Sequence, residues 1–370
     1  MFFLLRKEPE IVTELIATGS HLDKTGDYSI EEICAAGAEP FAKICILDQD
    51  FSSNTKFRAT DALARLYAEL PRVLKKLAPD IVVVLGDRYE IFGVASICRL
   101  LGICIAHISG GELTFGSFDD CLRHSITKLS DLHFVATEQY RKKVAQLGEN
   151  PERIFNVGEP GLYGFSKMKP LSKEELSEKT GFTLPQNFGL LTFHPETCYP
   201  GKVSSGLKKV FAALTSFLPE LSFIFTSANA DPEGKEINFA IKEFAESHSD
   251  KVYQVASLGR ESYLSLASYS AFVGGNSSSG IVEIPALKIP VLNFGLRQRG
   301  RPQSKAILNV DYDENRIIIA LKKILSREFK DLAKTAKNPY EGENSIQRIA
   351  EILIKTDLEK LKGGKEFFDK

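Results

Sequence analysis

The run Gly274-Gly275-Asn276-Ser277-Ser278-Ser279-Gly280-Ile281-Val282-Glu283 sets glycines and three hydroxyl side chains at the entrance to a helical stretch. Unpaired backbone N–H groups, the positive end of a helix dipole and serine hydroxyls together make a site for a phosphate-like anion. Glu283 follows about one turn into that helix, where its carboxylate could accept from two ribose hydroxyls. A serine-rich helix cap with an incidental glutamate fits the same residues. Asn276-Ser277-Ser278 also matches a glycosylation sequon, which carries no weight in a glycine-rich loop of a chain expected in the cytosol.

Three further strings bring acids and bases together. In Gly86-Asp87-Arg88-Tyr89-Glu90 a glycine permits a tight exit from a strand, and an acid and a base follow at its tip. A helix cap by Asp87 with Arg88 in a surface pair remains open beside a ligand site. Ser109-Gly110-Gly111-Glu112 allows backbone to approach a ligand, and in Phe118-Asp119-Asp120-Cys121-Leu122-Arg123-His124 two acids stand where a helix would start, as site residues or as caps. His107, on the apolar run before them, is expected to be a core histidine with satisfied hydrogen bonds. His194-Pro195-Glu196-Thr197 puts a histidine in a loop facing an interdomain cleft, where phosphate contact, acid–base work and a plain turn all fit.

All four strings follow apolar runs, where open α/β sheets hold their ligands. The clearest strands are Ile81 to Leu85, Ile103 to Ile108, Leu132 to Thr137, Phe188 to Phe193, Ser222 to Thr226, Ala271 to Val273 and Val291 to Asn293. Several are nearly continuous β-branched runs, which implies burial on both faces. Lys56 to Leu77 repeats apolar residues at spacings of three and four and should pack on a sheet as a helix. Gly158 to Lys173 reads as a connection between two α/β halves, and Asn344 to Leu361 as an amphipathic helix.

The 370 residues favour two domains, and a net charge of -1, from 47 basic and 48 acidic residues, argues against a nucleic-acid partner. No apolar run reaches the roughly 20 residues that span a bilayer, and no signal peptide is recognisable. The six cysteines, Cys34, Cys45, Cys98, Cys104, Cys121 and Cys198, have no zinc-ligand spacing and are expected to be buried free thiols in a cytoplasmic protein.

In chain order, Gly19-Ser20-His21-Leu22, Leu85-Gly86-Asp87-Arg88, Gly110-Gly111-Glu112, Arg123-His124-Ser125-Ile126-Thr127-Lys128, Gly275 to Gly280 and Arg297-Gln298-Arg299-Gly300-Arg301 resemble the UDP-N-acetylglucosamine 2-epimerase family. The resemblance runs from about Glu8 to about Ala350 and is strongest to the hydrolysing branch of sialic- and legionaminic-acid pathways. It implies an α/β chain of two Rossmann-like doubly wound domains (GT-B fold) around an interdomain cleft. Residues 1–160 would form the sugar-side domain, 161–343 the UDP-binding domain, and 344–370 a helix crossing back.

By the same resemblance, Ser278, Ser279 and Gly280 would hold the diphosphate, Glu283 the ribose, and the backbone at Ser257 and Leu258 the uracil, with Asn229 and Asn276 also on the nucleotide. His194 and Arg297 would face the phosphates, where a planar guanidinium suits bidentate contact. Asp87, Arg88, Glu112 and Asp119 would lie on the sugar side, with Asp87 and Asp119 exchanging protons at carbon 2. No metal or cofactor is implied, and relatives suggest a homodimer or homotetramer. A GT-B glycosyltransferase and a catalytically impaired UDP-sugar binder are the alternatives.

Two departures stand out. Most members begin with a strand and a Gly-Thr-Arg-Ala-Asp/Glu-Tyr loop, whereas Phe2 to Pro9 here already resembles the end of the first helix. A doubly wound sheet without its central strand is expected to show two unpaired interior edges, so a longer gene product, or a less stable or less active one, is expected. Ser109 stands where many relatives carry glutamate or histidine, and loss of a proton carrier costs about 10²–10⁴ in rate unless Glu112 or Asp120 substitutes.

Overall fold

The computed structural model describes residues 1–23, 29–47, 58–113, 119–196, 201–228, 234–255, 258–342, 344–361 and 364–369. The chain forms two compact units, one of Met1–Glu112, Phe118–Tyr163 and Gly342–Lys370, the other of Leu113–Ser117 and Gly164–Glu341.

The first unit contains α1 (Phe2–Leu5), β1 (Ile16–Thr18), α2 (Ile30–Ala35), β2 (Ala42–Ile44), α3 (Arg58–Leu77), β3 (Ile81–Leu85), α4 (Tyr89–Leu100), β4 (Cys104–Ile108), α5 (Asp119–Leu129), β5 (Leu132–Val135), α6 (Glu138–Gln146) and β6 (Ile154–Asn156). Every strand pair is parallel, which requires the crossover helices. The expected helix before β3 buries Ala62, Leu66, Leu70 and Leu74, one residue per turn, against Val84 and Ala95.

The strands of this unit fall into two sheets, β1-β2 and β3-β4-β5-β6. Among the described residues neither β1 nor β3 has a second strand partner, and β3 is half-exposed where β4 beside it is wholly buried.

The second unit contains α7 (Lys173–Thr180), β7 (Phe188–Thr192), α8 (Lys202–Thr215), β8 (Ser222–Thr226), α9 (Gly234–Ser247), β9 (Val252–Val255), α10 (Gly259–Tyr269), β10 (Phe272–Gly275), α11 (Ser279–Val282), β11 (Val291–Phe294), β12 (Ile307–Val310), α12 (Glu314–Leu325) and α13 (Arg327–Thr335). Its sheet runs β12-β11-β10-β7-β8-β9, all parallel, which is the doubly wound order with its reversal between β7 and β10. Phe193, Phe223, Phe225, Phe272 and Phe294 fill the core on that sheet. The last helix, α14 (Ser345–Lys355), belongs to the first unit, where Ile349 packs with Phe134.

The structure corrects several expectations. Strands β1, β2, β6, β9 and β12 carry no clear signal in the sequence, because each is short and only partly buried, whereas the equally short β5, β10 and β11 are buried throughout. The connection at Gly158 to Lys173 contains two single turns of 3-10 helix, Pro160–Leu162 and Phe165–Lys167. The final helix stops at Lys355, where Thr356 turns extended, and Leu358–Leu361 is a separate 3-10 turn. Only Cys98 and Cys104 are buried; Cys34 is half-buried, Cys45 and Cys121 are exposed, and Cys198 lies outside the described residues. Among the described residues no helix is long and apolar enough to cross a membrane.

Candidate active site

In the second unit the carboxyl ends of β7 and β10 meet at the reversal of strand order. Gly275 pairs with Thr192 at a φ of +126°, a backbone state open to glycine, and the chain turns straight into Asn276. The buried Asn276 amide closes a two-bond ring with the backbone of His194: Oδ1 accepts its N–H at 2.7 Å and Nδ2 donates to its carbonyl at 2.8 Å. The Asn276 carbonyl accepts from Arg297 Nη1 at 3.2 Å and from Gln298 Nε2 at 2.9 Å. One asparagine therefore holds the histidine loop, the serine loop and the arginine loop in register.

The serine loop enters α11, which is a single turn. Glu283 caps its end and the chain continues into a 3-10 turn carrying Pro285, so the helix expected to contain Glu283 stops just before it. Arg260 on α10 donates to Glu283 Oε1 at 3.0 Å. The buried hydroxyls of Ser279 and Tyr263 find no well-formed hydrogen bond among the described residues, although they lie close to one another. Burial pushes the Tyr263 pKa up, against the effect of the nearby Ser279 and Thr192. Behind this loop the buried Glu196 accepts from the Leu296 N–H at 3.3 Å, and Gly295 leaves room for that carboxylate.

In the first unit the tips of β3 and β4 gather a second set. Arg123, buried on α5, donates from Nη2 to Asp87 Oδ2 and from Nη1 to the Ser109 carbonyl at 2.8 Å. Asp87 is therefore not a helix cap: Arg88 occupies that position on α4 and gives its guanidinium to Glu90 at 2.7 Å. Burial works to lower the Arg88 pKa, but Glu90 outweighs it and Asp119 adds to the upward shift. Asp119 opens α5 on the same side. His107 is a core histidine, as expected: Nε2 donates to the Gly86 carbonyl at 2.9 Å, Nδ1 lies 3.2 Å from the Thr127 hydroxyl, and burial pulls it to about 3, keeping it neutral. Ser109 adopts a left-handed φ of +68° and is buried, so a larger acid there would meet both strain and desolvation.

The sequence profile of UDP-N-acetylglucosamine 2-epimerase matches residues 4–354. The chain belongs to the UDP-N-acetylglucosamine 2-epimerase family. It is 33% identical to the polysialic acid biosynthesis protein P7 of Escherichia coli over 99% of this chain and 92% of that one. It is 36% identical to the hydrolysing GDP/UDP-N,N'-diacetylbacillosamine 2-epimerase of Campylobacter jejuni over 88% and 83%. Among solved structures, the Neisseria meningitidis UDP-GlcNAc 2-epimerase bound to UDP-GlcNAc superimposes with a TM-score of 0.78 at 18% identity, covering 96% of this chain and 95% of that one. The expected GT-B α/β fold, enzyme class and hydrolysing branch are borne out.

Of the residues named from the sequence, this epimerase-family chain brings His194, Asn276, Ser278, Ser279, Gly280, Glu283 and Arg297 to one end of the second sheet. Leu258, half-buried, stands at the N-terminus of α10. Asn229 and Ser257 lie outside the described residues. Asp87, Arg88, Glu112 and Asp119 belong to the first unit, with Glu112 buried past the tip of β4. Sequence reasoning quoted Arg123 and Gln298 within its strings without giving them a role, and missed Tyr263. Arg123 was accessible in principle, since it shares a buried stripe with Ile126 and Thr127 at spacings of three and four.

Proposed function

We propose that this enzyme converts a UDP-linked 2-acetamido hexose and water into the free 2-epimeric sugar and UDP. The sugar is N-acetylglucosamine or a 2,4-diacetamido relative, feeding sialic- or legionaminic-acid-type synthesis. The second unit serves as the UDP side: Ser278, Ser279 and Gly280 hold the diphosphate, with His194 and Arg297 facing it, Glu283 takes the ribose through the carboxylate oxygen not engaged by Arg260, and Leu258 lies at the uracil. The first unit serves as the sugar side.

The observation that carries this reading is Asp87, a carboxylate at a strand tip aimed by a buried guanidinium and flanked by Arg88 and Asp119. In the first half-reaction the bond from carbon 1 to the diphosphate oxygen breaks, its electron pair leaving with UDP, while carbon 2 gives its proton to a carboxylate and the ring gains a double bond. Water oxygen then adds at carbon 1, and a proton returns to carbon 2 from the opposite face. Two faces need two proton carriers, which we assign to Asp87 and Asp119, with Glu112 in reserve. Positive charge and hydroxyl donors at the diphosphate stabilise the leaving group.

Incubation of the enzyme with each UDP-sugar in D₂O, followed by NMR of the freed sugar, tests the assignment. The expected product carries one deuterium at carbon 2 in the epimeric configuration, with an equivalent of UDP. Turnover only after adding a sugar acceptor would make the protein a glycosyltransferase; UDP binding with no release over hours would make it a binder.

Ser279→Ala combined with Glu283→Ala is expected to weaken UDP binding by about 10- to 100-fold, since hydroxyl and charged hydrogen bonds are lost together. Calorimetric titration with UDP reads this directly, and unchanged affinity would take the nucleotide away from this loop. The free thiols among the described cysteines suit a cytoplasmic enzyme, and a homodimer or homotetramer is the expected assembly, to be read by light scattering.

A further inference from the structure

Residues 364–369 take no part in the chemistry above, yet they lie against the elements that carry it. The Lys365 ammonium, 15% exposed, reaches the carbonyls of Thr127 at 3.1 Å, Lys128 at 2.8 Å and Ser130 at 2.6 Å, and Glu149 Oε2 at 2.5 Å. Two residues on, the Phe367 ring covers Gly148, where a Cβ would come within 2.3 Å of it, and the Phe368 N–H donates to the Gly148 carbonyl at 2.9 Å. Lys128 completes the contact with its ammonium 5.1 Å from the centre of the Phe367 ring.

A helix ends with four carbonyls that have no partner inside it. In α5 the Ile126 carbonyl takes the Ser130 hydroxyl at 2.7 Å, and the Leu129 carbonyl takes Arg99 Nε at 2.9 Å. The Thr127 carbonyl takes the Ser130 N–H and shares Lys365, and Lys365 supplies the Lys128 carbonyl. A cation there also suits the negative end of the helix dipole. Glu149 is buried and meets His133 at 2.9 Å, Lys128 at 2.8 Å and Lys365. Burial works to raise its carboxyl, and the bonds from His133, Lys128 and Lys365 overcome this, holding it down at about 2.

We infer that Lys365 is a positioning residue for the Asp87 site, acting by anchoring the C-terminal end of α5. Two routes lead from it to the strand tip. Along α5, the same helix carries Arg123, which aims Asp87 and grips the Ser109 carbonyl. Across the last turn, Thr127 meets His107, which donates to the Gly86 carbonyl, the residue before Asp87. A helix free to shift by a fraction of an ångström would misplace both Asp87 and Asp119, and misplacement of this kind costs up to about 10²-fold in rate.

The inference rests on the proposed role of Asp87, so its test has a reading that needs no turnover. In Lys365→Met, amide hydrogen exchange of residues 119–129 is expected to quicken. kcat is expected to fall about 10- to 100-fold below the melting range, with UDP affinity within about two-fold of wild type. Lys365→Arg, which keeps charge and donors, should restore most of both. Phe367→Ala, a change at an exposed ring, gives the same pattern more weakly if the methionine variant does not fold. Unchanged exchange in α5, or UDP affinity falling as far as kcat, overturns the inference. If the wild-type enzyme releases no UDP from either sugar, the proposed reaction fails, while exchange in α5 still decides the anchoring role.

Discussion

Asparagine in place of Asp87 is expected to lower kcat by about 10²- to 10⁴-fold and to leave UDP binding within about three-fold of wild type. The amide matches the carboxylate in shape and can still offer its oxygen to Arg123 Nη2, while Nη1 keeps the Ser109 carbonyl. What disappears is the capacity to exchange a proton at neutral pH. Arg123→Met makes the opposite change: the carboxylate survives, but Asp87 loses this donor and the Ser109 carbonyl loses its own, which is expected to cost on the order of 3 kcal/mol. The pair therefore separates chemistry from support. The product mixture of the Asp87→Asn enzyme says which half-reaction the carboxylate serves. If Asp87 takes the proton from carbon 2, UDP release stops with the rest of the reaction. If it returns the proton, UDP is released and the unsaturated sugar accumulates. A variant retaining more than about a tenth of wild-type kcat would remove Asp87 from the proton path.

The parts of this fold that could be read from sequence are those buried on both faces. Ser222–Thr226 begins and ends where its apolar run does, since a central parallel strand can carry no polar alternation; Ile81–Leu85 is the exception, half-exposed at the end of its sheet yet legible from an unbroken β-branched run. Val252–Val255 and Ile307–Val310 lie at sheet edges, where one face is covered and Gln254 or Asn309 interrupts the run, so their composition does not distinguish them from loops. The site divides along the same line. Glycines at strand ends mark Gly86, Gly111 and Gly275 from local pattern alone, because a chain that turns sharply there needs them. The partners that give those loops their shape are far away in sequence: Arg123 is 36 residues from Asp87, and Asn276 is 82 from His194. No periodicity announces such a pair; the resemblance to a family carried the assignment of His194 and Arg297, and the structure then supplied the physical tie between them through Asn276.

Gly275→Ala should show how much of the nucleotide site depends on that tie. Glycine at this position is required on two counts. Its φ of +126° lies where L side chains are strained, and an added Cβ would stand 1.8 Å from the Thr192 carbonyl oxygen and 2.7 Å from its carbon. Both obstacles are backbone, so no rotamer change relieves them; β10 must move away from β7 just where the strand order reverses. Loss of about 3 kcal/mol or more is expected, on the scale of a forced backbone conformation with overpacking. Moving β10 also carries Asn276 off the His194 backbone and takes the acceptor from Arg297 and Gln298, so UDP affinity should fall by about 100-fold in whatever fraction stays folded. Gly274→Ala, one residue earlier, is the control: its Cβ would meet only side chains, Phe272 at 3.2 Å and Leu191 at 3.4 Å, which can give way at a cost of about 1 kcal/mol. Thermal melts of the two variants, with and without UDP, decide the matter. If Gly275→Ala melts within about 2 °C of Gly274→Ala and UDP stabilises both alike, the close approach of Gly275 to Thr192 does not shape the site.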